Sequence, residues 1–305
     1  MLNKSSHTIS RPISIAGKLA DYAMFIKLRL AGLVVFSAVL GFLIIAGKDG
    51  STTNADWMHA AWLTLAGFLV TGSANGFNQI MERDFDRIMD RTSMRPLPQN
   101  RMSVSEGTIL ATIMGAVGLI ILWFFLNPLS SLLSALSIAL YVLAYTPLKR
   151  TTPFSVLVGA FPGAFPPLLG AIAATEDFGH IPFEGLVLFV VQFIWQFPHF
   201  WAIAWVLDDD YKKAGFRLLP SGERNKASAF QIVVYTLFLL LISMVPVLFK
   251  MTNTVIAPII IIICGMGFLY MAIKLYRDCT IKSARTVMFG SFAYLPFVQL
   301  AILLG

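Results

Sequence analysis

The feature that most constrains this chain is a succession of apolar runs, at about 24–47, 57–80, 107–126, 129–147, 154–174, 184–206, 228–249, 254–276 and 285–304. Each is long enough to cross a bilayer as a helix. In hydrocarbon the backbone N–H and C=O groups must be satisfied internally, so single runs of this length fold as helices. With 57% hydrophobic and 13% charged residues and a mean hydropathy of +0.75, the composition excludes an ordinary soluble domain. The expected fold is all-α, a polytopic membrane bundle of about nine transmembrane helices. A tail over 1–23 precedes a single transmembrane domain over 24–305.

The charges are distributed by side. Taking the nine runs in order, all but Lys48 and Lys250 of the 23 Lys and Arg precede or open the first run, or lie around the junctions that follow the second, fourth, sixth and eighth. The positive-inside rule then puts the N-terminus in the cytoplasm and the C-terminus outside. The net charge of +7 is thus accounted for by topology, and nucleic acid is not an expected partner. Residues 1–20 have no apolar core ending in a small-residue cleavage site, so no secretory signal is expected. Their scattered Lys, Arg and Ser also suit a short mitochondrial transit peptide, but the cell inner (cytoplasmic) membrane is the expected location, ahead of the mitochondrial inner membrane. Cys264 and Cys279 are too far apart for a CxxC pair and read as packing residues.

Against this apolar background, Asn78 to Pro96 is anomalous. Asn78, Glu82, Asp86 and Asp90 recur every fourth residue, and each four-residue step on a helix turns only about 40° beyond a full circle. Asn78, Glu82 and Asp86 therefore form one stripe roughly 12 Å long. Arg83, Arg87, Arg91 and Arg95 run one residue behind. Neighbours at i,i+4 are like-charged, and only i,i+3 contacts such as Asp84 with Arg87 pair opposite signs. Carboxylates stacked against like charge suit a divalent cation better than a solvated face. Hard oxygen ligands favour Mg²⁺, which is commonly shared with substrate phosphates.

Three further clusters lie near or within later runs. Asp208, Asp209 and Asp210 follow the sixth run, beside Tyr211, Lys212 and Lys213; alone they would pass as a solvated loop, but facing the Asn78 stripe they would form a second metal shelf. Lys149 and Arg150 close the fourth run, where such cations often snorkel to headgroups but also suit phosphate oxygens. Inside the sixth run, His199 sits among Trp195, Gln196, Phe197, Phe200 and Trp201, and an intramembrane histidine is either a functional group or a helix-packing one. Prolines at 162, 166, 167, 198, 246, 258 and 296 are expected to kink the spans and leave room for a cavity.

These segments together resemble the UbiA-type intramembrane prenyltransferases, and within them the haem-directed branch. The resemblance covers nearly the whole chain and is strongest in NQIMERDFDRIMDRTSMRPLP at 78–98, AYTPLKRTTPFSVLVGAFPGAFPPLLG at 144–170 and WQFPHFWAIAWVLDDDYKKAG at 195–215. Lys27 and Arg29 resemble the basic pair that opens the first helix in that family. Two departures matter. Glu82 stands where most relatives have Asp, and the superfamily's second DxxxD motif is absent, the Asp210-Tyr211 pattern of the haem-directed branch taking its place.

The resemblance implies transfer of the farnesyl group of farnesyl diphosphate to a vinyl group of protoheme IX (haem B), with addition of water, giving haem O and diphosphate for haem A biosynthesis. It implies Mg²⁺ held by Asn78, Glu82, Asp86 and Asp210, with Asp90 and Asp209 as outer members, and Lys27, Arg29, Lys149 and Arg150 on the diphosphate. It further implies His199 at the haem, membrane lipid as surroundings, and a haem A synthase as a candidate recipient of product. An aromatic or quinone-precursor acceptor is the alternative. An ion-coupled transporter fits less well, because its carboxylates would sit near the bilayer middle.

Overall fold

The computed structural model describes residues 14–47, 52–175 and 178–305. Lys4, Arg11 and Lys48 of the charge pattern, and most of the 1–23 tail, lie outside the described residues. The described residues form α-helices and no strands, as the apolar runs predict.

Helix α1 (Ile15–Phe25) is followed by α2 (Leu28–Ala46), with Lys27 between them at φ 52°. The run expected as one span from 24 is therefore broken at its start. That left-handed residue turns the chain, and Lys27 is left where its ammonium can reach α3. Helix α3 (Asn54–Ile88) opens on a Thr53/Asp56 capping box, which satisfies the first free N–H groups, and continues for 35 residues. It carries the expected second span and the carboxylate stripe on one uninterrupted rod.

Helix α4 (Val104–Phe125) is capped by Ser103, and α5 (Pro128–Ala139) by Asn127 with Pro128 in its first turn. Next come a π-helical segment, Leu140–Tyr145, and the short α6 (Thr146–Leu148). Pro147 has no N–H to donate, and the Thr146 N–H and hydroxyl both turn back to the Tyr141 carbonyl. Across that turn the Tyr141 and Tyr145 rings meet at a tilt of 39°, with centroids 5.2 Å apart. The chain continues through α7 (Ser155–Ala173), α8 (Phe183–Val206), α9 (Asp208–Lys213), α10 (Lys226–Ile242), α11 (Val245–Leu248), α12 (Ile256–Asp278) and α13 (Ile281–Leu304).

Eight helical stretches among the described residues are long and apolar enough to span a membrane. The expected second span lies in α3, whose polar residues Ser73, Asn75, Asn78 and Gln79 dilute its hydropathy. Helix α7 is the most enclosed of the eight and packs against α2 and α8. Its Gly170 meets the backbone of Ala38, and Gly41 on α2 meets that of Pro167, contacts that any Cβ would block. Small residues at such a crossing let two helices approach closely where lipid offers no hydrophobic drive. Outward-facing Phe124, Leu143, Ile263 and Phe289 are exposed, as suits side chains that face acyl chains.

Candidate active site

The stripe on α3 is buried. Asn78, Glu82 and Asp86 are 1%, 6% and 1% exposed, and each is met by a group from another part of the chain. Lys27 Nζ donates to Asn78 Oδ1 at 2.9 Å, and Asn78 Nδ2 donates to Thr146 Oγ1 at 3.1 Å. Lys149 Nζ forms an ion pair with Glu82 Oε1 at 2.6 Å. Arg95 Nη1, carried back by the loop after α3, reaches Asp86 Oδ2 at 2.6 Å. Thr92 ties that loop to the Asp86 carbonyl at 3.0 Å.

Of the second acidic cluster, Asp210 meets the end of the first stretch, while Asp208 pairs with Lys212 at 2.8 Å. Asp210 on α9 accepts from the backbone N–H groups of Asp90 at 3.2 Å and Arg91 at 3.1 Å. Lys213 bridges Asp90 at 2.7 Å and Asp210 at 3.2 Å. Burial would raise the Asp210 pKa, but the Arg91 N–H, the Lys213 ammonium and the Asp90 N–H outweigh it and hold it below its ordinary value.

The expected residues are thus divided. Lys27, Asn78, Glu82, Asp86 and Lys149 gather as one buried polar cluster, and Asp90 and Asp210 join at its edge. Asp209 is instead gripped by Arg224, whose Nη1 lies 3.1 Å from both carboxylate oxygens. Arg29 is exposed on the first turn of α2. Arg150 stacks over the Phe85 ring, 4.4 Å from its centroid. Asp84 lies 3.6 Å from Arg83 Nε, while Arg87 Nε donates to the Pro98 carbonyl. The expected Asp84–Arg87 pairing is therefore replaced, because the loop carbonyl takes the guanidinium. Sequence spacing did not pair Arg95 with Asp86, Lys213 with Asp90 or Thr146 with Asn78, contacts that lie outside helical i,i+3 and i,i+4 range.

Among the described residues no group of three or more His, Cys, Asp or Glu side chains is close enough to hold a metal by itself. The donor chemistry nevertheless fits a hard cation shared with phosphate. Asp86 Oδ1 is buried without a hydrogen-bond partner, one turn from the Glu82 carboxylate and two turns from the Asn78 amide.

Beside the cluster opens a cavity of about 500 Å³, with Lys27, Arg91, Tyr145 and Tyr211 among its lining residues. Gly159 keeps Tyr145 in place, since a Cβ there would lie 2.7 Å from the ring. Farther along α8, Gln192, Gln196 and His199 share a face and line the same cavity. Gln192 and Gln196 both donate to the Gly163 carbonyl at 2.8 Å. The 7%-exposed His199 stacks on Trp195 at 4.2 Å, and its Nδ1 lies 2.7 Å from Ser291 Oγ.

A membrane bundle that joins buried carboxylates and ammonium groups to an apolar cavity is the framework of an enzyme acting on an amphiphilic anion. The chain belongs to the UbiA prenyltransferase family, whose family model matches residues 29–294. It is 44% identical over 292 residues to the protoheme IX farnesyltransferase of Christiangramia forsetii, covering 95% of this chain and 94% of that one. It is 42% identical to the enzyme of the same name from Cytophaga hutchinsonii, covering 95% and 99%. The fold is similar to that of a digeranylgeranylglyceryl phosphate synthase at 20% identity, with a TM-score of 0.76 over 94% and 98% of the two chains. It is also similar to a UbiA homologue from Archaeoglobus fulgidus bound to GPP and Mg²⁺, at 15% identity and a TM-score of 0.63 over 92% and 99%.

Proposed function

We propose that this prenyltransferase moves the farnesyl group of farnesyl diphosphate to a vinyl group of protoheme IX, with addition of water, to give haem O and diphosphate. The bond between the farnesyl carbon and the diphosphate oxygen breaks, and a carbon–carbon bond forms at the vinyl group. A water oxygen adds to the adjacent carbon, and its proton leaves. The observation that carries this reading is the convergence of Lys27, Asn78, Glu82, Asp86 and Lys149 beside one apolar cavity. Similarity to haem-directed enzymes over 95% of the chain supplies the acceptor.

Asn78, Glu82, Asp86 and Asp210 are the residues that would hold Mg²⁺, with Asp90 as an outer member. When bound, the ion supplies Lewis acidity that draws charge onto the leaving diphosphate. Lys149 and Lys27 supply positive charge to the same oxygens, and the guanidinium of Arg95 lies close enough to Asp86 to share that work. Tyr145 and Tyr141 line the cavity, and aromatic rings there would suit a developing allylic cation and help to exclude early water. The farnesyl chain gains little by leaving lipid for a tunnel of similar polarity, so selectivity comes from chain-length fit and from the acceptor. His199 is assigned to contact with haem, as a ligand to its iron.

The concentration of Lys and Arg at the carboxylate end supports a cytoplasmic face there and a cytoplasmic N-terminus. Residues 24–305 would form one transmembrane unit in the cell inner membrane, with haem A synthase as the recipient of product. The reading is tested by incubating membranes that contain the chain with farnesyl diphosphate and either haem B or 4-hydroxybenzoate, followed by mass analysis. Haem O as the product supports it. A prenylated benzoate with no haem O overturns it.

A further inference from the structure

The contacts of Ser291 bear on which ring nitrogen of His199 carries the proton. Ser291 Oγ lies 2.6 Å from the Met288 carbonyl oxygen and 2.7 Å from His199 Nδ1. A hydroxyl oxygen and a carbonyl oxygen that close repel unless a proton lies between them, and the carbonyl has none. The single Ser291 proton is therefore committed to Met288. The Nδ1 contact needs a proton too, and only the imidazole can supply it. His199 is the Nδ1–H tautomer, and in the neutral ring Nε2 keeps its lone pair.

The ring's surroundings favour that neutral form and fix its plane. Trp195 stacks on it with an interplanar angle of 16°, and Phe292 meets it edge-on at 4.8 Å. Among the described residues no carboxylate pairs with or hydrogen-bonds to the ring. Ser291 also accepts the Trp195 indole N–H at its carbonyl, at 2.9 Å. One fully buried serine on α13 thus holds both the histidine and the indole that lies against it, two residues of α8.

We infer that Ser291 is a positioning residue. It locks His199 as the Nδ1–H tautomer and so presents the Nε2 lone pair to the iron of the haem acceptor. This rests on the proposed haem reaction and adds to it a residue outside the recognised motifs. A histidine bound through one nitrogen and hydrogen-bonded through the other is the arrangement by which proteins fix ligand orientation and basicity.

The test uses the full-length chain purified in detergent and titrated with haem B. Absorption and the iron–histidine stretch in resonance Raman spectra are read, with farnesyl diphosphate affinity as a check of fold. The intact chain is expected to show a nitrogen-ligated haem, and His199→Ala to lose that signature. Ser291→Ala is expected to weaken haem binding about 10- to 100-fold and to lower the iron–histidine stretch, with farnesyl diphosphate affinity retained. Ser291→Thr, which keeps a hydroxyl, is expected to restore both.

If His199→Ala loses the signature while Ser291→Ala keeps the intact chain's affinity and stretch, the role of Ser291 is overturned and the haem reading stands. That role is likewise overturned if Ser291→Thr binds farnesyl diphosphate normally yet loses haem affinity as completely as Ser291→Ala. Absence of haem binding by the intact chain, together with prenylation of 4-hydroxybenzoate, overturns the haem reading itself.

Discussion

Lys149 Nζ stands 2.6 Å from Glu82 Oε1, with the two side chains only 9% and 7% exposed. They come from the end of α6 and from α3, so the pair locks two helices at the place where the cavity meets the polar cluster. A buried pair of this kind is costly to break from one side, because the remaining charge has no solvent to turn to.

Lys149→Met is expected to destabilise the chain by about 3–5 kcal/mol, since it leaves the Glu82 carboxylate buried and uncompensated. Adding Glu82→Gln should recover part of that loss but none of the activity. Thermal melting in detergent, with the two single variants and the double variant side by side, checks this. Equal melting of Lys149→Met and the unaltered chain would mean that the contact contributes nothing.

Asp86→Asn should leave the fold in place, because Arg95 can still be met by the amide oxygen, yet cut turnover by at least about 10²-fold, as removal of a charged group from a transition-state site does. The measurement is haem O formed per folded protein. Near-normal production by a variant that melts at the usual temperature would remove Asp86 from the mechanism.

Joining of the loop after α3 to α9 should depend on acid. Hydrogen bonds hold the Asp210 pKa below its ordinary value of 3.8. The stability it confers is therefore complete above that value and declines as pH falls through the lower, folded-state value. In a pH series of melting temperatures, Asp210→Asn should fall below the unaltered chain near neutrality, and the two should converge in strong acid. A constant difference across that range would contradict the assignment.

Gly159→Ala should cost about 1–3 kcal/mol, since the added methyl meets Tyr145. Because the Tyr145 ring also lies 4.8 Å below the Lys149 ammonium, the same change should weaken farnesyl diphosphate binding. Melting and a binding titration of one variant check both effects. Unaltered values for both would show that the ring has room to move.

Much of this was legible in the sequence because it is periodic. Membrane-length apolar runs dictate helices, and the four-residue recurrence of Asn78, Glu82 and Asp86 dictates a stripe, which the structure bears out as a buried face of α3. What was hidden depends on chain reversals. Arg95 returns to Asp86 only because the loop after α3 folds back, and Lys213 meets Asp90 across 123 residues. The break at Lys27 and the π-helical turn before Pro147 lie inside apolar runs whose composition does not distinguish them from regular helix. Ser291 is one serine among many until its contacts with His199 and Trp195 are seen.

The proposed site has carboxylates from α3 and from α9 act together on a magnesium-bound diphosphate. Its most direct test is a titration of purified chain with farnesyl diphosphate, with and without Mg²⁺, for the unaltered protein and for Asp86→Asn and Asp210→Asn. Mg²⁺-dependent binding that both substitutions weaken is the expected result. Binding that is indifferent to Mg²⁺, or that Asp210→Asn leaves intact, would contradict it.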